Sequence, residues 1–93
     1  MITSAYFEQP IYSISEYVKR VLKHYPNYGK KVRKITLEYS VLDNGATPNV
    51  LLSVDKLFIN EIEEPVVFHN MHVGYIEALK LGILKGRRVR VRV

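Results

Sequence analysis

Charge and hydrocarbon alternate through Arg88-Val89-Arg90-Val91-Arg92-Val93. Successive side chains on a strand point to opposite faces, so this spacing predicts a strand with Val89, Val91 and Val93 turned inward and Arg88, Arg90 and Arg92 on the other side. The same period of two runs from Lys34 to Leu42, where Ile35, Leu37, Tyr39 and Val41 share one face and Lys34, Thr36, Glu38 and Ser40 the other. Asp43-Asn44-Gly45 follows; Asn-Gly favours a hairpin because both residues accept positive φ, and Pro48 points to a loop longer than two residues. The returning strand turns Val50, Leu52 and Val54 inward. Beyond Asp55 the apolar parity passes to Leu57 and Ile59, which predicts a bulge or an end of pairing near Lys56. Ile2 to Phe7, β-branched and aromatic and closed by Gln9-Pro10, predicts a strand ahead of all these. Asn60 to Pro65 has the composition of an acidic turn, and Val66-Val67-Phe68 that of a short fifth strand, which Pro65 confines to a sheet edge.

In two places the period becomes helical. Ser13-Ile14-Ser15-Glu16 fits a capping box, in which the Ser13 hydroxyl accepts from the Glu16 amide and the Glu16 carboxylate reaches back. Behind it Ile14, Tyr17, Val18, Val21, Leu22 and Tyr25 fall on one helical face, with Glu16, Lys19, Arg20 and Lys23 on the wet side, until Pro26 and Gly29 end the run. Asn70 is suited to cap a second helix with Met71, Tyr75, Ala78 and Leu79 on one face. Gly82 fits the left-handed position after its last turn, with Ile83 folding back over it.

The predicted order is strand, helix, strand, strand, helix, strand. That is the element order of the α+β, ferredoxin-like βαββαβ arrangement, a four-stranded antiparallel sheet with both helices on one face and the other face open. Placing the last strand beside the first would set its valines under the helices and its arginines on the open face with Lys34 and Thr36. A chain of 93 residues, 47% hydrophobic and 25% charged, fits one α+β domain over residues 1–93. Disulfides and thiolate metal ligands are excluded by the absence of cysteine. No signal peptide or spanning segment is recognised in the sequence, so a soluble, cytoplasmic protein without membrane contact is expected.

Charge adds more than composition does. The net charge is +5, and the cations are segregated. Lys19, Arg20, Lys23, Lys30, Lys31, Arg33 and Lys34 form one stretch without an acid; Lys80, Lys85, Arg87, Arg88, Arg90 and Arg92 form another; Asp55, Glu61, Glu63 and Glu64 lie between. A folded chain with this distribution presents a basic surface, which attracts polyanions. The expected ligand is therefore nucleic acid, DNA or RNA, held by Arg87, Arg88, Arg90, Arg92, Lys30, Lys31, Arg33 and Lys34 through backbone contacts with weak sequence preference. Tyr17, Tyr25 and Tyr28 lie among these cations and suit either base stacking or the core. The alternative is a homodimeric interaction module, a regulator or inhibitor of a larger protein, joined through the C-terminal strand across a twofold axis. His69 and His72 lack a third ligand at metal-binding spacing, and no nucleophile motif, phosphate loop or glycine-rich fingerprint is present. No metal, cofactor or catalytic activity is expected.

Overall fold

The structure, a computed structural model, describes residues 10–43, 49–85 and 88–91. The Ser13 hydroxyl accepts from the Glu16 amide at 3.0 Å and the Glu16 carboxylate accepts from the Tyr12 amide at 2.9 Å, which fixes the start of helix α1 (Ile14–His24) as the sequence predicts. α1 buries Ile14, Tyr17, Val18 and Val21. Pro26 then opens a tight helical turn, Pro26–Lys31, broken by Gly29 at φ 52°, ψ −128°, a conformation that side chains resist.

Among the described residues five strands build one antiparallel sheet: β1 (Ile35–Asp43), β2 (Asn49–Ile59), β3 (Ile62–Glu64), β4 (Asn70–Gly74) and β5 (Arg88–Val91). The order is β3-β2-β1-β5, and β4 also pairs with β2. β3 lies opposite Leu57 to Ile59 and β4 opposite Asn49 to Ser53, so the two share one edge of β2. The predicted bulge is present. Lys56 pairs with Glu38 and Val54 with Tyr39, leaving Asp55 as the extra residue. The apolar parity changes there, from Val50, Leu52 and Val54 to Leu57 and Ile59, so all five remain inside.

The inward residues of β1, β2, β4 and β5 join those of α1 and Ala78 of α2 (Tyr75–Leu81) in one core. Each fully buried aliphatic side chain contributes about 1.5–3 kcal/mol. Gly82, at φ 70°, closes α2 in the left-handed region, and Ile83 behind it is fully buried, as expected from the sequence.

Four expectations are corrected. The ferredoxin-like βαββαβ order is not the one found. β5 pairs antiparallel with β1, so the hairpin's own free edge receives the C-terminal strand, and β3 and β4 follow β2 before the second helix; the strand predicted at 2–7 lies outside the described residues. The second helix begins at Tyr75, not after Asn70, because Met71 and Val73 alternate into the core opposite Leu52 and Val50. Strand pairing overrode a helical spacing that rested on only four residues. The acidic turn narrows to Asn60-Glu61, and the predicted strand at Val66-Val67-Phe68 falls in the non-strand excursion between β3 and β4. The Asn44-Gly45 turn lies outside the described residues.

Candidate nucleic-acid interface

The basic residues that follow α1 are held in place by one amide. Asn60 and Glu61 take φ 53° and 69°, the pair of positive values that a two-residue hairpin turn between β2 and β3 requires. In that position the Asn60 side-chain oxygen accepts from the amides of Arg33 at 2.7 Å and Lys34 at 3.2 Å, and its nitrogen donates to the Lys31 carbonyl at 2.8 Å. The Asn60 amide donates to the Lys34 carbonyl at 2.8 Å. The segment entering β1 is thereby tied to the far end of β2, and Lys30, Lys31 and Arg33 surround an open cleft of about 530 Å3 with Asn60 at its base. Replacing Asn60 with alanine removes three hydrogen bonds and places a Cβ-bearing residue of poor left-handed propensity in the turn. A loss of about 2–3 kcal/mol in urea unfolding is expected; Asn60→Gly, which keeps the turn but not the bonds, is expected to lose less.

Not every predicted cation is equally available. Thr36 of β1 has Arg90 on one side and Phe58 on the other, with Glu63 beyond Phe58, and the next row reads Arg88, Glu38, Lys56. Arg88 donates to Glu38 at 2.5 Å, and Lys34 to Glu61 at 3.0 Å. Lys30, Lys31, Arg33 and Arg90 are exposed and form no ion pair among the described residues. Because Arg90 sits opposite Thr36, two residues into the strand that Lys34 enters, it lies at the same end of the sheet as the Asn60 cluster. Arg87 and Arg92 lie outside the described residues. The open face is therefore mixed in charge, with Glu38, Asp55 and Glu63 among its residues, and the four predicted cations without an ion pair among the described residues, Lys30, Lys31, Arg33 and Arg90, stand at one end of the sheet. The sequence shows no sign of which arginine is neutralised, and although it predicts a turn from Asn60 to Pro65, it gives no sign that the Asn60 side chain bonds the backbone of Lys31, Arg33 and Lys34.

The tyrosines serve the fold. Tyr17 is fully buried and its hydroxyl donates to the Phe68 carbonyl at 2.6 Å; Tyr25 donates to the Pro65 carbonyl at 2.5 Å and Tyr28 to the Glu64 carboxylate. Together they fasten the excursion between β3 and β4 to α1 and the turn after it. Burial raises the Tyr17 phenol well above the ordinary tyrosine range; burial, then Glu64, raises Tyr25; the hydrogen bond to Glu64 raises Tyr28; burial raises Tyr39. Each of these phenols loses its proton more readily in the unfolded chain than in the fold. Their contribution to stability is thus complete below the ordinary value of 10.0 and is lost as the pH rises above it. Urea midpoints are expected to fall between about pH 8 and about pH 11, and midpoints that stay level or rise would contradict these contacts.

Among the described residues no group of three histidines or carboxylates is placed to hold a metal ion, and no helix is long and apolar enough to cross a membrane. What the fold defines is an α+β protein with an antiparallel sheet, helices against one of its faces and a cluster of unpaired cations at one end. The chain matches no protein family, no curated protein and no solved structure.

Proposed function

We propose that the protein binds a polyanion, in the first place nucleic acid, through Lys30, Lys31, Arg33 and Arg90, without catalysis. The observation that carries this reading is the shared end of the sheet. Among the described residues Lys30, Lys31 and Arg33 have no carboxylate partner there, over a backbone that the Asn60 hydrogen bonds fix, and Arg90 stands at the same end of the sheet, across β1. Counterion release on contact with phosphates supplies the affinity, and the mixed charge of the open face leaves little means of reading bases. Phe58 is the one aromatic residue in the strands bordering the cluster that shares a face with Arg90, too few for a stacking platform. Arg88 and Lys34, already paired, make a smaller contribution. The test is retention of labelled duplex and single-stranded oligonucleotides at low salt. Similar retention of both is expected, and no retention of either would end the proposal.

A second reading, a homodimeric interaction module, is favoured by α2. Ile76, Leu79, Tyr75 and Leu81 are all exposed on this seven-residue helix, and only Ala78 is buried. Light scattering at twice the chain mass would support it, and a monomeric mass at high concentration would dismiss it.

A further inference from the structure

The backbone from Lys31 to Lys34 is bound to a single side chain. The Asn60 oxygen accepts from the amides of Arg33 and Lys34, and one Nδ2 hydrogen is donated to the Lys31 carbonyl. Two donors on one side and an acceptor on the other leave the amide one orientation. Both lone pairs of its oxygen are then used, while the second Nδ2 hydrogen has no partner among the described residues. Asn60 lines the same cleft as Lys30, Lys31 and Arg33, and among the described residues no carboxylate lines it. Two other clefts with cations in their walls also contain acids: Glu77 stands with Lys19 and Arg90, and Glu38 and Asp55 stand with Lys56 and Arg88.

Three cations and a neutral donor round one cleft suit a compact anion of more than one charge. The diesters inside a nucleic-acid strand carry one charge each and follow one another in a row, so they meet cations singly. A phosphate monoester carries about 1.5–2 negative charges near pH 7 and presents three acceptor oxygens from one centre. We propose that this cleft is a subsite for the terminal phosphate monoester of a nucleic-acid strand. Arg33 supplies a planar fork for two of its oxygens, Lys30 and Lys31 act as point charges, and Asn60 donates its remaining Nδ2 hydrogen. Arg90, on the other side of β1, is left for a diester further along the strand. The inference rests on the polyanion reading and narrows it: a strand ending in a hydroxyl engages the same cations through diesters alone and binds less tightly.

The test is fluorescence anisotropy of labelled single strands titrated with the full chain. In one series the 5′ end, and in the other the 3′ end, carries either a phosphate or a hydroxyl. A hydroxyl-ended strand lengthened by two nucleotides matches the charge of the monoester. At about pH 7.5 the phosphate-ended strand of one series is expected to bind at least about tenfold more tightly than either control, a difference of about 1.4 kcal/mol. The advantage should shrink towards about pH 5, below the monoester's second pKa of about 6. Lys30, Lys31 and Arg33 keep their charge over this range, and the hydroxyl-ended strands at each pH correct for the histidines and for Glu61, the partner of Lys34. Arg33 is exposed, so Arg33→Gln keeps the fold, which circular dichroism verifies, and loses most of the advantage. Arg90→Gln weakens every strand and keeps it. Equal binding of the phosphate-ended and lengthened strands in both series would overturn the subsite and leave polyanion binding standing. So would an advantage that survives Arg33→Gln or stays constant with pH. No binding of any strand would remove the polyanion reading and the subsite together.

Discussion

Val73→Asp is expected to lower the stability of the fold by about 3–5 kcal/mol. Val73 is fully buried on β4, opposite Val50 of β2, and the aspartate would carry a charge into a core that offers it no partner. An unpaired buried charge costs about 3–5 kcal/mol, and a chain of this length has about 5–14 kcal/mol of stability to lose. His72→Ser, one residue away and turned to the opposite face, is expected to change stability by less than about 1 kcal/mol. The contrast is diagnostic. In a helix that begins after Asn70 with Met71, Tyr75 and Ala78 inward, position 73 is turned away from the core, and the aspartate would be tolerated. Urea unfolding followed by circular dichroism decides between the two, and a Val73→Asp protein within about 1 kcal/mol of the parent would refute the strand.

That segment shows where legibility in the sequence stopped. α1 was fully readable, because its capping box and apolar spacing are local and agree with its tertiary setting. β1 and β2 were readable for the same reason, including the parity change at Asp55, since a buried face prints its period onto the sequence. Asn70–Gly74 was not, because five residues are too few to separate a period of two from one of 3.6, and pairing with β2 settles it. The neighbour chosen by β5 was also hidden. Its alternation predicts a strand with Val89 inward, which the structure contains, but the alternation is the same whichever strand lies alongside. The candidate site was half legible. Clusters of like charge can be counted in a sequence, whereas the pairing of Arg88 with Glu38 depends on register, and the gathering of Lys30, Lys31 and Arg33 depends on an asparagine nearly thirty residues away.

Removing the unpaired cations is the second large effect expected. With Lys30, Lys31, Arg33 and Arg90 all changed to serine, four phosphate contacts are lost, each accounting for about 0.9 in the slope of log affinity against log salt. The slope should become shallower by about 3.6, which over a fourfold change in salt corresponds to a factor of about 10² in affinity. These side chains are exposed and make no ion pair among the described residues, so the fold should not change. A charge-neutral control exists within the same surface. Arg88→Gln with Glu38→Gln, and Lys34→Gln with Glu61→Gln, each delete a pair and leave the net charge as it was. If availability of the cation is what matters, these double variants should bind nearly as the parent does.

The most direct measurement is therefore the salt slope of oligonucleotide binding for three proteins side by side: the parent, the fourfold serine variant and the Arg88→Gln, Glu38→Gln pair variant. The expected result is a slope reduced by about three to four units in the fourfold variant and little changed in the pair variant. Equal slopes for the parent and the fourfold variant would contradict the assignment of binding to the cluster around Asn60.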